Sequence, residues 1–559
     1  MERNALIVIG VLAAVVVVLG ATLGVVLLTP PPTAQVSKQL NIDLWWPIAH
    51  YGSQTPDVAA IIASNLEATG RISVTLQSAE WATYIDQLGE MAFFILGWFP
   101  DYADADNYIS PFMGTAGGAS LGVLYSDPLM DLAILTERTT FGDERMEVFA
   151  EIQKKMAEDA LILPLFQGSQ RVVYQDDVTG VTLEPIRPFK YNAIEKPLET
   201  TLKVGTIDRI TTLDSADAYD YFSDLVVAHI FETLLDYEPG TANIVPLLAE
   251  EVPSQENGLV SADGLTYVFN IRSGVKFHDG TDVDADAVKF SLDRARGPLG
   301  GDPGFLLSDA IDTVDVTGPL QVTIVLKNSL TFFNALMAFS VSAIVSPAAY
   351  AVDAFRTGLD PSLPPVGTGP YMLVGGDYSA DERITLTQND AYWDPANAAK
   401  SAKVQVNLVS DSTALKTQIE TGQIHVAFRQ LTPDDFLDLE NRRAQLNLLT
   451  ETGTGSEIRY LIFNHEMPPF DNVWVRRAIA AAIDRDQITS QVFLDLFFPL
   501  YSMVPDLFPQ QTEAFKTVYG VGPDVDLANQ YLDSYFASIE TTLGQDIFAD
   551  LILPTREAS

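Results

Sequence analysis

A regular alternation of strand and helix patterns beginning near residue 40 is the feature that most limits how this chain can fold. Leu40, Ile42 and Leu44 alternate with polar residues, as in a half-buried strand, and the apolar residues of segment 58–66 recur on one helical face. A second alternating strand follows at residues 72–76. Since parallel strands need a crossover between them, this order predicts a parallel sheet with right-handed crossovers. We therefore expect an α/β fold.

Local signals predict where several of these elements begin and end. Thr55 is expected to be the N-cap of the first helix, with Pro56 at its first helical position. Gly70 suits the left-handed residue that follows this helix. Further along, residues 314–326 are predicted to form a hairpin, and residues 404–428 a second strand–helix–strand unit.

The acidic balance of the chain excludes one class of partner. Its 74 acidic residues outnumber 33 basic residues and give a formal net charge of -41, which repels a phosphate backbone, so nucleic acid is not expected as a partner. In molar salt the Debye length falls to ~3 Å, and self-repulsion of this size is screened. The composition indicates a source that lives in concentrated salt, a halophilic archaeon for example, or alternatively an acidic secreted protein. Because there is no cysteine, disulfides and thiolate metal sites are excluded.

An uncharged apolar run occupies residues 5–28, long enough to cross a ~30 Å hydrocarbon core as a helix. We interpret it as a transmembrane anchor, with residues 1–4 in the cytoplasm and residues 29–39 as a Pro-rich stalk. A cleaved signal peptide is the alternative. The anchor predicts a single-pass protein of the cell membrane whose large domain is extracellular or periplasmic.

Four motifs resemble markers of one known family. They are the run from Thr266 to Gly280, the run Gly367-Thr-Gly-Pro-Tyr371, the segment from Phe463 to Arg485, and Gly97-Trp-Phe-Pro-Asp-Tyr102. Together they resemble the peptide/nickel (oligopeptide/dipeptide) family of solute-binding proteins, the receptors of ABC importers. The resemblance implies a two-lobed periplasmic-binding-protein-like fold of class II type that closes on a peptide and docks on permease subunits. It also implies a monomer that needs no cofactor and performs no catalysis.

The order of these motifs differs from that of the family. The Gly-Trp-x-x-Asp-Tyr segment, which belongs near the family's C-terminus, lies here before the others. We therefore expect a circular permutant whose old termini are joined within residues 186–201. Lobe I is predicted to span residues 164–467, and lobe II to combine residues 40–163 with 468–559, with hinges near Pro164 and His465. Residues 549–554 resemble residues 42–47, which suggests two copies of one strand left by a tandem duplication. A fragment of a longer product is the alternative.

The predicted ligand-binding residues cluster at the end of one strand. Asp101 follows the apolar run 92–97 by four residues, and ligands of open α/β sheets bind beyond the carboxyl ends of strands. The family resemblance implies that Asp101 pairs with the α-ammonium of a peptide, and that Trp98 and the backbone of Gly97 and Phe99 line the cleft. The alternatives are a solvated loop acid for Asp101 and core packing for Trp98.

Trp45 and Trp46 are also predicted to flank the cleft, with at least one of them in a structural role.

Other motifs compete with this interpretation. Gly118-Ala-Ser120-Leu-Gly122 fits the nucleophile elbow of a serine peptidase or esterase, but a loop rather than a buried strand is predicted before it. A peptide sensor without a permease is a further alternative. His278-Asp279-Gly280 is interpreted as a structural turn, with Asp284 as the cap of the next helix. No metal site is predicted.

Overall fold

The computed structural model describes residues 38–552 except residues 49, 187–188, 298, 300, 302 and 380–381. The predicted cytoplasmic N-terminus and anchor lie outside these residues, as does the stalk up to residue 37. Within the described part of the chain, no helix has both the length and the apolar character needed to cross a bilayer.

The strands lie along the whole of the described chain. In chain order they are β1 (Leu40–Pro47), β2 (Ile72–Ala79), β3 (Phe93–Trp98), β4 (Ile162–Gln175), β5 (Thr201–Thr206), β6 (Leu235–Tyr237), β7 (Ile244–Pro246), β8 (Thr266–Asn270), β9 (Ile311–Gly318), β10 (Gln321–Leu326), β11 (Tyr371–Ser379), β12 (Arg383–Gln388), β13 (Lys403–Leu408), β14 (Val426–Phe428), β15 (Leu448–Phe463) and β16 (Phe498–Pro499).

The helices alternate with these strands. In chain order they are α1 (Thr55–Glu67), α2 (Trp81–Asp86), α3 (Asp106–Met113), α4 (Thr115–Ser120), α5 (Pro128–Thr139), α6 (Gly142–Glu158), α7 (Tyr221–Ile230), α8 (Ala285–Ala295), α9 (Gly304–Ala310), α10 (Phe333–Leu336), α11 (Ser412–Glu420), α12 (Pro433–Leu446), α13 (Val473–Ala482), α14 (Arg485–Val492), α15 (Ala514–Tyr519) and α16 (Val525–Ile552).

One large mixed sheet organises the molecule. Its order is β11-β12-β13-β5-β14-β4-β15-β3-β1-β2, and β16 pairs with β4. The outer parts contain parallel pairs, β1 with β2 and β3 on one side, and β5 with β13 and β14 on the other. The predicted α/β class is confirmed, and the two parallel parts belong to two lobes.

Two long antiparallel strands join these parts. β4 has 14 residues and β15 has 16, and their pairing extends from Leu448 opposite Gln175 to Ile462 opposite Ile162. The carboxyl half of β15 also pairs with β3, whereas the carboxyl end of β4 pairs with β14. Each of the two strands therefore contributes to both sides of the sheet. The register between them shifts between Thr454 and Ile458.

Several local predictions agree with the structure. Gly70 and Gly280 have φ values of 70° and 85°, so each occupies the left-handed conformation that glycine adopts without strain. The carboxylate of Asp284 accepts a hydrogen bond from the backbone N–H of Ala287 at 2.9 Å, which caps α8 as expected. Residues 311–326 form the predicted hairpin, β9 with β10.

The predicted start of the first helix is wrong by one residue. Gln54 is the N-cap of α1, and no side chain caps this helix. The hydroxyl of Thr55 instead donates to the carbonyl of Gly52 at 3.1 Å. The backbone turn at Gly52, which the sequence pattern does not specify, supplies a competing acceptor for the threonine.

The predicted second copy of the first strand is also wrong where the structure describes it. Residues 549–552 belong to the end of α16, which packs along α13. Residues 42–47 form β1, as expected. Sequence similarity over a few apolar residues does not determine secondary structure, because a short apolar run can form either a strand or part of a helix.

A buried ion pair holds the connection between β5 and α7 against α8. The guanidinium of Arg294 donates to both carboxylate oxygens of Asp214, at 2.8 and 2.6 Å, and the two side chains are 1% and 0% exposed. Asp214 also accepts from the backbone N–H groups of Ala216 and Arg356. Such a pair depends on both partners, because removal of one leaves a buried charge without compensation.

We expect Asp214→Asn to lower the free energy of unfolding by about 3–5 kcal/mol, because Arg294 would keep its charge in a buried site. The exposed pair Lys154–Glu151, with a distance of 3.3 Å, is a matched control. Glu151→Gln should change the stability by about 0–1 kcal/mol. Urea denaturation of the three proteins checks this, and equal effects of the two substitutions would contradict it.

Candidate functional site

A cavity of about 1210 Å³ is lined by residues that follow strands in both parallel parts of the sheet. The carboxyl end of β3 contributes one wall, residues 97–101, and the N-terminal end of α7 contributes another, residues 219–224. β15 adds Glu457 and Arg459. The cavity thus lies beyond the carboxyl end of a central strand, the usual place for a ligand in an α/β sheet.

The structure brings four of the six predicted residues together. Gly97, Trp98, Phe99 and Asp101 all line the cavity. They lie together because β3 ends at Trp98 and the next residues continue into the cavity wall.

Trp45 and Trp46 are not among the residues that line this cavity, in correction of the prediction. Both are half-buried in β1 and pack against the core. The chain reaches the cavity a few residues later, at His50 and Tyr51. The sequence pattern identified the right strand but not the point at which it meets the cavity.

Asp101 is a carboxylate deep in the protein that still opens to the cavity. Burial raises the pKa of Asp101 to about 6, although hydrogen bonds from Tyr219 and Asn107 oppose the shift. Both of these partners are uncharged. Among the described residues, no basic side chain contributes to the pKa of Asp101. The site therefore holds an acid whose charge the protein leaves uncompensated.

Asn107 fixes the position of Asp101 and Trp98 together. Its amide oxygen accepts from the indole N–H of Trp98 at 3.0 Å and from the backbone N–H of Asp101 at 2.9 Å. Its amide nitrogen donates to a carboxylate oxygen of Asp101 at 3.3 Å. The ring of Trp98 also packs edge-on against Phe112, at 5.2 Å between centroids. Trp98 consequently has both a structural contact and a face in the cavity wall.

Charged side chains beneath this loop hold it in place. Arg145 pairs with Asp104 at 2.6 Å, and Arg138 pairs with Asp106 at 2.8 Å. Glu137 is the fifth charged residue of this cluster and also pairs with Arg145. Its side chain is fully buried, and burial together with the charge of Asp106 raises the pKa of Glu137 to about 11. At neutral pH two carboxylates therefore face two guanidinium groups. The charges balance here, in contrast to those at Asp101.

Gly97 lies at a close contact across the sheet. It pairs with Arg459 of β15, and the guanidinium of Arg459 lies 3.9 Å from the ring centroid of Tyr51. A Cβ added at Gly97 would lie 2.9 Å from Cε1 of Tyr51 and would also collide with the Arg459 guanidinium. Arg459 is neutralised by an ion pair with Glu457.

Aromatic rings form much of the remaining wall. Phe99 packs edge-on against Tyr221 of α7, with 5.3 Å between ring centroids, so the two walls of the cavity touch at this point. The guanidinium of Arg429 lies 3.8 Å above the same Tyr221 ring. His50 stacks on Trp81 at 3.5 Å, and burial lowers the pKa of His50 to about 4. The imidazole is therefore neutral at physiological pH.

The competing catalytic motif lacks the required geometry. Ser120 is the last residue of α4, which is a helix where a nucleophile elbow requires a strand. Its hydroxyl is exposed and donates to the carbonyl of Ala116 at 3.3 Å. Within the described residues, no group of three or more metal-ligating side chains is found.

The structure adds site residues that sequence reasoning missed. Asn107 follows the quoted Gly97–Tyr102 motif by five residues and had no predicted role, and no role was predicted for Tyr219, Asp224 or Arg459. Asn107 follows Asp101 by six residues, and an amide side chain at such a position can close a polar turn. This spacing could have suggested a role for Asn107. The others come from segments distant in sequence, and no local signal identifies them.

This chain is similar to known proteins over part of its length. The family model described as "Bacterial extracellular solute-binding proteins, family 5 Middle" matches residues 243–546. The glutathione-binding protein GsiB of Escherichia coli strain K12 is 31% identical over 309 residues, which cover 55% of this chain and 56% of that protein. GsiB of Shigella flexneri is 30% identical over the same coverage. The chain spans about half the length of the curated relatives it matches.

Solved structures are also similar. The periplasmic binding protein DppA of Helicobacter pylori, in complex with the peptide STSA, has a TM-score of 0.47 and 22% sequence identity, covering 60% of this chain and 65% of that chain. NikA of Brucella suis, in complex with Fe(III)-EDTA, has a TM-score of 0.46 and 21% identity, covering 60% and 64%.

We expect Gly97→Ala to destabilise the protein by about 1–3 kcal/mol, because the new methyl group overpacks against Tyr51 and Arg459. Gly89→Ala is the matched control, since a Cβ at Gly89 would meet no atom within 4 Å. The free energy of unfolding in urea measures both effects. A loss of stability in the control as large as in Gly97→Ala would refute the overpacking argument.

Proposed function

The chain belongs to the bacterial extracellular solute-binding proteins of family 5, and on this basis we propose that it is the substrate-binding component of an ABC importer. It captures oligopeptides or dipeptides by lobe closure and delivers them to a permease without chemical change. The relatives named above as glutathione-binding proteins support a small peptide as ligand.

One observation carries this proposal: Asp101 presents a carboxylate without a basic partner to a cavity between the lobes. A peptide α-ammonium supplies the missing charge and donates a charge-assisted hydrogen bond. Pairing at Asp101 fixes one end of the peptide and its direction. The neighbouring residues Gly97, Trp98 and Phe99 supply backbone groups and an apolar surface for the first residues of the ligand.

We propose lobe I at residues 164–467 and lobe II at residues 40–163 plus 468–559, with hinges near Pro164 and His465. The supporting feature is that β4 and β15 contribute to both sides of the sheet. Closure is driven by contacts that the ligand makes with both lobes in the closed state only. The hydrogen bond from Tyr219 of the proposed lobe I to Asp101 of the proposed lobe II supports contact between the lobes at this point.

We also propose that the chain is a circular permutant joined within residues 186–201. This segment connects β4 to β5, and β14 lies between those two strands in the sheet. Just before it, Thr179 forms an isolated bridge with Glu195. β4 and β5 are separated by a single strand in the sheet, so old termini at their ends would lie near enough to be joined.

The proposed location is the outer face of the cell membrane. Residues 5–28 would anchor the chain, residues 29–39 would hold the binding domain away from the bilayer, and the domain would act as a monomer beside its permease. The net charge of -41 supports an environment of concentrated salt.

We expect Asp101→Asn to weaken the binding of a tripeptide such as Ala-Ala-Ala by about 2–5 kcal/mol, because the ammonium group loses its counter-charge in a buried site. Asp353→Asn, at an exposed position in lobe I, is the control and should bind like the wild type. Isothermal titration calorimetry measures both. Unchanged affinity of the Asp101 variant would remove this residue from the site, and hydrolysis of the peptide by the wild type would indicate an enzyme instead.

The pH dependence of binding follows from the pKa of Asp101, about 6. Below this pH the ligand-free carboxyl becomes protonated, whereas the peptide ammonium keeps its charge. Affinity for Ala-Ala-Ala should therefore fall by about tenfold between pH 7 and pH 5. The Asp101→Asn protein should show no such fall. Titrations at several pH values test this, and a parallel loss in both proteins would assign the effect to another group.

A further inference from the structure

A second carboxylate in the cavity lacks a basic partner. Asp224 lies one turn into α7 and lines the cavity. The hydroxyl of Ser340 donates to one of its oxygens at 2.7 Å. Among the described residues, no donor contacts the other oxygen. The side chain is deep in the protein and remains partly exposed because it opens to the cavity.

Other acids around the cavity are satisfied in ways that Asp224 is not. Glu232 accepts hydrogen bonds from Thr368, Tyr392 and Trp393, at 2.7, 2.6 and 2.8 Å. Asp236 pairs with Lys190 at 2.8 Å. These carboxylates have the donors that a structural role requires. Asp224 has a single neutral donor, which is less than a buried carboxylate needs.

The basic side chains of the cavity are committed elsewhere. The described contacts of these side chains are Lys190 with Asp236, Arg459 with Glu457, Arg429 above the Tyr221 ring, Arg272 with the carbonyl of Leu247, and Arg209 with the carbonyls of Ile207, Asp208 and Val409. None of these contacts involves Asp224 or Asp101. No basic side chain among the described residues contributes to the pKa of either acid, so a ligand can supply a cation here.

Asp224 and Asp101 lie close together although they belong to different lobes. Tyr219, just before α7, donates a hydrogen bond to Asp101. Tyr221 contacts Phe99, two residues before Asp101, and Asp224 follows Tyr221 by three positions on the same face of the helix. Burial, together with the nearby charges of Asp220 and Asp101, raises the pKa of Asp224 well above its usual value. Asp220 itself is occupied as the N-cap of α7.

We propose that Asp224 binds the cationic side chain of the first ligand residue, so that the protein prefers peptides that begin with lysine or arginine. This inference rests on the proposed function, because it assumes that Asp101 holds the α-ammonium of the same residue. Two adjacent acids and two cationic nitrogens on one residue match in charge. An apolar first residue would leave Asp224 buried with one neutral donor.

The test compares two peptides of nearly equal shape, Lys-Ala-Ala and norleucine-Ala-Ala, which differ by the side-chain ammonium. Calorimetric titration of the wild-type protein should give a Kd at least tenfold lower for the lysine peptide. In Asp224→Asn this preference should disappear, so that the Kd values of the two peptides agree within about twofold. Asp353→Asn is the matched control and should keep the preference.

Each other outcome contradicts a defined part of the inference. Equal affinities in the wild type, or a preference that persists in Asp224→Asn, would overturn the role of Asp224 and leave the peptide receptor intact. Failure of both peptides and of Ala-Ala-Ala to bind would overturn the proposed function as well. The wild-type comparison needs no variant, so it decides the preference even if Asp224→Asn does not fold. If 1,5-diaminopentane binds as tightly as the lysine peptide, the ligand is a free diamine and the proposal of a peptide is overturned.

Discussion

The antiparallel pairing of β4 with β15 is the interaction on which the rest of this structure depends. The two strands lie between the parallel strands of one lobe and those of the other. Through this antiparallel pair, both sets of strands belong to one sheet. β3 takes its place beside β15, and this places the end of β3, with Asp101, at the cavity. β14 takes its place beside β4 and positions β5, whose lobe carries α7. The site is assembled from distant segments because both sets of segments are tied to this pair.

Charge is distributed differently in the scaffold and in the cavity. Beneath the Asp101 loop, Asp104 and Asp106 each face an arginine, so the loop is held by compensated charges. At the cavity surface, no basic side chain in the described part of the chain contributes to the pKa of Asp101 or Asp224. Uncompensated buried charge lowers stability, and a protein retains it where a ligand supplies the counter-charge. In the proposed function, acidic side chains thus support the loop in one place and would recognise the ligand in the other.

The sequence was sufficient to predict most of the local structure and the strand at whose end the candidate site lies. The strand at 40–47, the hairpin at 311–326 and the turn at Gly280 follow from period and turn chemistry, which act over a few residues. Predictions failed where a distant neighbour decides. Thr55 bonds to Gly52 rather than capping its helix, and residues 549–552 join a helix that packs on α13. Trp45 and Trp46 lie on the right strand but not at the cavity.

By itself, the sequence determined the α/β class, the family resemblance, and Asp101 with its neighbours Gly97, Trp98 and Phe99 as the candidate site. These depend on periodicity and on motifs whose residues are adjacent in the chain. Only the tertiary structure decided that Asn107 orients Asp101, that Arg459 packs closely against Gly97, and that Asp224 faces the same cavity. The reason is physical. Burial and charge compensation depend on which side chains meet across the two lobes, and sequence separation carries no information about that meeting.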